Sequence, residues 1–448
     1  MTQRSSPEVR ADTRTILGLA WPALAVLAAT PLYLLWDTAV VGRLGVVELA
    51  ALAAGATVLA QVTTQLTFLS YGTTARAARR HGAGDTAGAV AEGVQATWVA
   101  VAVGAVIAVL VAATAGPVTG WLTGSGPGSE VADAATQWLR VTSLSVIPAL
   151  VTMAGNGWLR GIANTRAPLY FTLAGVVPMV VTVPWAVDRY GLVGSAYANV
   201  LGEVIIASCF VVALVVTWRK TGDGRPVRPT WSVIRPQLAM GRDLVLRSFS
   251  FQVAFVSAAA VAGRMGDASL AAHQIMLQLW NFLTLVLDSV AIAAQALVGA
   301  ALGKASAATA WQVGRKVLRF SVGAGVVLAG LLAAGAVVIP GLFTSDAAVL
   351  DTIRGPWLVL VVMVVLGGVV FALDGVLLGA GDVAFLRNAT IVSVVLGFIP
   401  GVWLSLVFDL GLTGLWCGLL AFIVLRLVAV TWRYRSGDWV TLSDAPAP

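Results

Sequence analysis

The sequence predicts an all-α polytopic membrane protein with twelve transmembrane helices in two six-helix bundles, related by pseudo-two-fold symmetry about the membrane normal. Composition is the first reason, since 58% of the 448 residues are apolar and only 11% are charged. Soluble domains carry about 25% charged residues, so this chain belongs in a lipid bilayer. The other two reasons are the apolar segments along the chain and a sequence pattern shared by its halves.

The apolar segments are long enough to cross a bilayer. Unpaired backbone polar groups are very unfavourable in lipid, so apolar runs of about 20 residues form helices there. The short alternating strands of a β-barrel are missing. The predicted segments are 14–40, 50–75, 88–115, 131–160, 166–187, 191–217, 238–263, 268–299, 312–340, 348–380, 385–408 and 411–433.

The basic residues predict the orientation. With the N-terminus inside, 21 of the 28 Lys and Arg residues fall in inner segments and four in outer loops. This positive-inside bias indicates a multi-pass protein of the cell (inner, cytoplasmic) membrane with both termini in the cytoplasm. It also explains the net charge of +7 as a charge that faces lipid, so we expect no nucleic-acid partner.

The two halves of the chain resemble each other. Residues 42–51 share six of ten identities with 263–272, and 156–161 align with 374–379. Parallel repeats of six helices place a substrate path at their interface. The predicted parts are an N-terminal six-helix bundle (1–218), a polar cytoplasmic linker (219–237), a C-terminal six-helix bundle (238–433) and a cytoplasmic tail (434–448).

Polar side chains inside the spans are the candidates for function. In the eighth segment steps of three, four or seven residues keep them on one helical face. A single Gln or Thr is more often an interhelical hydrogen-bonding residue, worth about 0.6 to 2 kcal/mol, whereas a face that carries an acid points to a cavity. These residues are Gln274, Gln278, Asn281, Thr284, Asp288 and Gln295, with Gln61 in the second segment and Asn156 in the fourth.

Of the acids inside the predicted spans, four are candidates for function: Asp37, Glu203, Asp288 and Asp374. A charge at the centre of a membrane helix costs about 2.5 to 3.5 kcal/mol, so such a side chain normally faces a bundle interior or a wet cavity. Asp37 is either a titratable switch or a residue that reaches the outer interface. Glu203, which precedes an apolar run, is expected to be packed or interfacial. Arg247 either snorkels or forms a structural charge pair with Asp288.

Enzyme signatures are missing. The run 299–305 resembles a phosphate loop but is one residue short and lacks its Ser or Thr, and there is no nucleophile elbow. His81 and His273 stand alone, which argues against a metal site. We therefore expect no enzyme activity, no cofactor and no metal. Without ATP machinery, transport would be driven by an ion gradient.

Residues 37–45 (Asp-Thr-Ala-Val-Val-Gly-Arg-Leu-Gly) end the first segment, and 246–248 (Leu-Arg-Ser) open the seventh. The eighth segment contains 287–289 (Leu-Asp-Ser) and 294–299 (Ala-Gln-Ala-Leu-Val-Gly). The first of these four motifs resembles the multidrug and toxic compound extrusion (MATE) family, and the other three look like its DinF (DNA-damage-inducible protein F) branch. The resemblance covers nearly the whole chain. It implies an antiporter that exports bulky, often cationic or amphipathic, compounds in exchange for protons or sodium.

The resemblance also implies roles for single residues. Asp37 matches the protonation or cation site of the family, and Pro22 matches the position where the first helix bends. The Asn-x-x-x-Asp-Pro sequence that many members carry in the fifth helix is reduced to Pro184, and Gln295 stands where the branch commonly has an acid. The acid of another branch has no counterpart near Gln252. Since a sodium ion needs several oxygen ligands, these losses favour protons as the coupling ion.

The expected function is H⁺-coupled efflux of a small molecule by a monomer through alternating access. Protonation of Asp37 from outside releases the substrate, which competes for this carboxylate beside two aromatic rings. The predicted substrate cavity comprises Tyr33, Trp36, Gln61, Asn156, Asn281, Asp288, Gln295 and Asp374. The alternatives are a Na⁺-coupled drug antiporter, a flippase for lipid-linked precursors of the same superfamily, and a membrane receptor or intramembrane enzyme.

Overall fold

The computed structural model describes residues 12–124, 128–221 and 227–441. The first residues of the chain, 222–226 of the predicted linker and 442–448 of the predicted tail lie outside the described residues. Within the described ranges every element of regular secondary structure is helical. Twelve helices are long and apolar enough to cross a membrane, which confirms the predicted number of spans.

The spans, numbered here in chain order, have the following bounds. They are α1 Thr13–Val41, α2 Val46–Gly82, α3 Thr86–Leu122, α4 Glu130–Gly161, α5 Arg166–Tyr190, α6 Leu192–Thr221, α7 Trp231–Arg264, α8 Asp267–Gly303, α9 Ala307–Ala334, α10 Ala347–Ala380, α11 Val383–Val407 and α12 Gly411–Ser436. Two short helices, Val338–Phe343 and Asp438–Thr441, lie outside these spans.

Three spans contain a local irregularity. Helix α2 has a turn at Leu66 and Thr67, α4 has a 3₁₀ turn at Ser143–Ser145, and α11 has a π-helical stretch at Val394–Phe398. Helix α7 begins at Trp231, so that 231–237, which the sequence analysis assigned to the linker, are helical. Pro236 lies inside this stretch, where it has no N–H to donate to the carbonyl oxygen four residues earlier.

Side-chain caps fix several helix starts. Asp85 accepts a hydrogen bond from Gly88 N (2.8 Å) before α3, and Asp346 accepts one from Ala348 N (2.8 Å) before α10. Each satisfies a backbone N–H that has no partner within the first turn of a helix. Polar residues between apolar runs therefore set where these spans begin.

The described residues divide into two compact units. The N unit holds Trp21–Gly241, and the C unit holds the chain from Arg242 onward together with the start of α1 up to Ala20. The division falls inside α1, directly before Trp21 and Pro22, and inside α7, whereas the sequence analysis placed the boundary in the linker. Helix α1 is continuous through Pro22, so a bend at this residue stays a prediction.

The two units contain the same close helix crossing. In the N unit a Cβ atom on Gly157 of α4 would lie 2.5 Å from the carbonyl oxygen of Ser70 in α2. In the C unit a Cβ atom on Gly375 of α10 would lie 2.5 Å from the carbonyl oxygen of Ala291 in α8. Small residues allow backbones in lipid to approach this closely. The aligned stretches 156–161 and 374–379 therefore perform the same packing task in each unit.

The aligned loops also share a backbone conformation. Gly45, which precedes α2, has φ +153°, and Gly266, which precedes α8, has φ +113°. Side chains are rarely tolerated in this region of φ, so glycine is the residue that fits. The shared Gly-Arg-x-Gly pattern thus reflects the same turn into a long helix in both halves.

Candidate functional site

Asp37 lies buried in the apolar core of the N unit. It is 2% exposed, and one turn away on α1 Tyr33 is also buried. Tyr33, Val40 and Val41 belong to one apolar cluster that includes Trp138 of α4 and residues of α5 and α6. The structure thus places this carboxylate inside the helix bundle and not at an exposed rim.

A chain of hydrogen bonds joins Asp37 to two other helices. Ser195 of α6, which is fully buried, donates its hydroxyl to Asp37 Oδ2 at 2.8 Å. Trp138 Nε1 of α4 donates to Ser195 Oγ at 3.2 Å. Asp37 Oδ1 is buried without a hydrogen-bond partner, and no Lys, Arg or His of the described chain forms an ion pair with this carboxylate. Within the described chain, the Asp37 carboxylate therefore accepts one side-chain hydrogen bond, and its donor is a neutral hydroxyl.

Trp36 has a structural role that the sequence analysis did not foresee. The residue is 38% exposed, and its Nε1 donates to the carbonyl oxygen of Val180 in α5 at 3.0 Å. In a regular helix Val180 would accept from residue 184, but Pro184 has no N–H. Trp36 satisfies the carbonyl that the proline leaves free, and so ties α1 to α5 next to Asp37.

The N unit contains a cavity of about 320 Å³. It lies among α1, α2, α4, α5 and α6, with an apolar wall that includes Val26, Met153 and Met179. The polar residues that line it are Thr30, Tyr33, Thr63, Thr67, Ser70, Tyr71, Thr152, Asn156, Arg160, Thr172, Asn199 and Glu203.

Two of the predicted cavity residues, Tyr33 and Asn156, line this space. Asn156 Oδ1 is buried and has no hydrogen-bond partner among the described residues, whereas the buried Tyr33 hydroxyl lies beside the side chain of Asn199. Trp36 and Gln61, which were predicted with them, are exposed and are not part of the lining. Thr63, which precedes the turn in α2, and Thr67, which lies in that turn, line the cavity where Gln61 was expected.

Glu203 reaches the cavity along one face of α6. Ser195, Asn199 and Glu203 are spaced by four residues, which places them on the same side of a helix. Ser195 contacts Asp37, and the other two line the cavity. From the apolar run after Glu203 the sequence analysis concluded that this residue has no polar stripe, and expected it to be packed or interfacial. The signal that it missed lies before Glu203, in this spacing of polar residues.

The C unit contains a different arrangement around an acid. Asp374 of α10 is 5% exposed, and its Oδ2 accepts from Arg247 Nη2 at 2.6 Å and from Arg426 Nη2 at 2.5 Å. Both guanidinium groups lie near the Phe251 ring, at 5.6 Å for Arg247 and 4.7 Å for Arg426. This is a buried charge cluster in which one carboxylate holds two cations.

The described partner of Arg247 is thus Asp374, and not Asp288, to which the sequence analysis gave that role. Helical spacing shows which residues share a face but not which neighbouring helix that face meets, so either acid was compatible with the sequence. Arg426, which the sequence analysis left without a role, completes the cluster.

The remaining predicted cavity residues all belong to the C unit. Gln295 is buried, Asp288 is half-buried and Asn281 is exposed, all on α8. A Cβ atom on Gly379 would lie 2.6 Å from the backbone oxygen of Gln295, so this glutamine belongs to the close crossing of α8 and α10. A role in substrate binding for these residues and for Asp374 stays a prediction.

Twelve apolar helices, a helix crossing repeated in two units and polar groups buried within the spans define a class of protein, the polytopic helical membrane transporters. The MatE family model matches residues 22–185 and 244–403, and the chain belongs to this family. Its members are transporters and not enzymes. The resemblance to the MATE family is therefore confirmed.

Relatives cover nearly the full chain. It is 31% identical over 450 residues to the chloroplastic protein DETOXIFICATION 44 of Arabidopsis thaliana, covering 96% of this chain and 84% of that relative. It is 28% identical over 437 residues to DNA damage-inducible protein F of Escherichia coli K12, covering 95% and 94%. A crystal structure of MATE in the bent conformation has a TM-score of 0.87 at 21% identity over 98% of both chains, which confirms the fold.

Proposed function

We propose that this protein exports organic compounds in exchange for protons, and that Asp37 couples the two movements. The observation that supports this most is the contrast between two buried acids. Asp374 is held by two guanidinium groups, whereas Asp37 has a neutral hydroxyl as its described partner. A buried charge without a countercharge is strongly unfavourable. Taking up a cation removes this charge, and the proton is the smallest one.

Protonation of Asp37 changes the packing of three helices in this proposal. The ionised carboxylate can only accept hydrogen bonds, so Ser195 must donate to it, whereas a protonated carboxyl has a hydrogen of its own to donate. The hydrogen bonds from Trp138 to Ser195 and from Ser195 to Asp37 then rearrange. Because they join α4, α6 and α1, the proton alters how these helices pack. If proton and substrate disfavour each other, the coupling acts equally in both directions.

Sodium coupling is the nearest alternative, and the local geometry argues against it. A serine hydroxyl has one hydrogen and two lone pairs. Ser195 Oγ donates to Asp37 and accepts from Trp138, so one lone pair is left for a metal ion. A sodium ion needs several oxygen ligands. The groups around Asp37 therefore favour a proton over a sodium ion as the coupling ion.

A flippase for lipid-linked precursors is the second alternative from the same superfamily. Such a protein needs basic residues that can bind an anionic headgroup. In the C unit the half-buried Arg247 and the buried Arg426 both donate to Asp374, which opposes that use.

We further propose a location in the cell membrane with both termini in the cytoplasm, and a monomer as the transporting species.

Transport in proteoliposomes tests the proposal. We expect the wild-type protein to accumulate the cationic dye ethidium when the vesicle interior is acidic, and not when a sodium gradient replaces the pH gradient. Asp37→Asn cannot exchange a proton, so we expect its initial rate under the pH gradient to fall by about tenfold or more, within the range of coupling between two ligands.

The matched control is Asp133→Asn, the same substitution at an exposed position in the first turn of α4. This variant should keep the wild-type rate. Wild-type accumulation by Asp37→Asn, or accumulation driven equally well by sodium, would contradict the proposal.

A further inference from the structure

The cavity of the N unit contains an acid that the coupling step does not use. Glu203 is the one acidic side chain among the residues that line this cavity. It lies two helical turns from Ser195, roughly 12 Å along α6 at 1.5 Å per residue. Within the described part of the chain, no Lys or Arg forms an ion pair with Glu203. A carboxylate therefore lines this cavity without an ion pair to a protein cation.

The cavity wall around Glu203 offers hydrogen-bond acceptors. Among the described residues, the side-chain oxygens of Asn156 and Asn199 are buried without hydrogen-bond partners, as is Thr152 Oγ1. An amide oxygen accepts hydrogen bonds and cannot donate them. Buried polar groups are normally satisfied, so the two amide oxygens can accept hydrogen bonds from a ligand that enters the cavity, for example from its N–H groups.

The cation of the cavity wall, Arg160, has a structural role. It is buried in the last turn of α4, one turn beyond Asn156, and its Nη1 donates to Ser70 Oγ of α2 at 3.3 Å. This contact lies at the close crossing of α2 and α4, where Gly157 meets the backbone of Ser70. Arg160 thus supports the crossing, and Glu203 is left as the group that can meet a ligand charge.

The size and the rings of the cavity limit the ligand further. Ligand pockets range from about 300 to 1,000 Å³, so a cavity of about 320 Å³ is at the small end. Tyr33 and Tyr71 line it, and a tyrosine ring attracts a cation placed over its face. The space fits one compact, partly apolar cation and not a macrocycle.

We infer that Glu203 recognises the substrate, and that the substrate class is a compact organic ammonium ion that carries N–H donors. This deepens the proposed export function and separates two tasks within the N unit. Asp37 exchanges the proton, and Glu203 binds the positive charge of the substrate while Asn156 and Asn199 accept its N–H groups. Glu203 is thus a substrate-binding residue, distinct from the coupling residue.

Equilibrium dialysis with the full-length protein in lipid nanodiscs, without any ion gradient, tests this inference. Three probes share one ring system: 2-naphthylethylammonium, its N,N,N-trimethylated analogue and the neutral 2-naphthylethanol. We expect the wild-type protein to bind the ammonium probe about tenfold or more tightly than either of the others, since hydrogen bonds to a charged group are among the stronger ones. Glu203→Gln should weaken binding of the ammonium probe about tenfold and leave binding of the alcohol within twofold.

The alcohol shows that the variant still has its cavity, and Glu203→Asp should keep part of the preference for the ammonium probe. The matched control is Glu130→Gln, at an exposed position at the start of α4, which should bind all three probes as the wild type does. A wild-type protein that does not prefer the ammonium probe would overturn the inference, as would unchanged ammonium binding by Glu203→Gln. Because no gradient is present, a failure of proton-driven export leaves this result unaffected, and the reverse also holds.

Discussion

At the residue scale, the candidate site depends on a serine that connects an acid to a tryptophan. Ser195 donates to Asp37 and accepts from Trp138, and a Cβ atom on Gly55 would lie 2.5 Å from the Trp138 ring. The missing side chain at Gly55 therefore lets the indole reach its position. One small residue in α2 and one in α6 thus determine where the Asp37 carboxylate finds its hydrogen bond.

Replacing Ser195 tests this connection. Ser195→Ala leaves Trp138 Nε1 buried without an acceptor, and we expect the free energy of unfolding in mixed micelles to fall by about 1 to 3 kcal/mol. Trp138→Phe removes the donor as well, so the double variant should lose less than the sum of the two single variants. Strictly additive losses in this double-mutant cycle would contradict the hydrogen bond between the two residues.

Asp37 could be predicted from the sequence, but its partner could not. The resemblance to the MATE family pointed to the fifth helix for polar partners and found Pro184 there. The structure gives Pro184 a different consequence, since Trp36 satisfies the carbonyl that it leaves free on Val180. Ser195 lies between a glycine and an alanine, and a short hydroxyl in such a run gives no signal in the sequence by itself.

At the scale of elements, the molecule is built on one helix crossing used twice. Glycines in α4 meet the backbone of α2, and their aligned glycines in α10 meet the backbone of α8. The equivalent backbone positions, Ser70 and Ala291, are 221 residues apart, which is also the offset between Gly42 and Gly263. The repeat that was read from the sequence therefore corresponds to a physical contact in each unit.

Substitution of the crossing glycines tests this reading. In Gly375→Ala the new Cβ atom would lie 2.5 Å from the backbone oxygen of Ala291, which cannot move like the end of a side chain. We expect a loss of about 1 to 3 kcal/mol in the free energy of unfolding, the usual effect of overpacking. Gly330→Ala in α9 is the control, because its Cβ atom would meet nothing within 4 Å. The account fails if both variants are as stable as the wild type.

The helices could be predicted far better than the contacts between them. Long apolar runs can only be helices in lipid, so the twelve spans followed from hydropathy. The ion pairs did not follow from the sequence, because Arg247 could have met an acid on α8 or on α10. The C unit joins it to Asp374 on α10, and a second arginine from α12 completes the cluster. Sequence periodicity predicts the face of a helix, whereas the three-dimensional packing decides which residue that face meets.

At the scale of the whole molecule, the positive-inside bias predicts how the chain lies in the membrane. Helix α5 runs from Arg166 to Tyr190 and carries an exposed arginine near each end, Arg166 and Arg189. The first belongs to the inner segments of the predicted topology and the second to the outer loops. The side of the membrane on which each end of this helix lies therefore shows the orientation of the chain.

Cysteine labelling tests the topology. After Cys209 and Cys417 are replaced by alanine, Arg166→Cys and Arg189→Cys are introduced separately and treated with a membrane-impermeant maleimide on intact spheroplasts of a bacterial host. We expect labelling at position 189 and none at position 166 until the cells are opened. The opposite pattern would place the N-terminus outside and contradict the predicted orientation.

Proton release on substrate binding tests the central claim about Asp37 most directly. If proton and substrate disfavour each other, adding ethidium to the protonated protein in weakly buffered micelles must release protons, because the coupling is reciprocal. We predict that the wild type and Asp133→Asn release protons on dye binding, and that Asp37→Asn releases about one proton fewer per bound dye, the number that one coupling carboxylate can supply. Proton release by Asp37→Asn equal to that of the wild type would contradict the account.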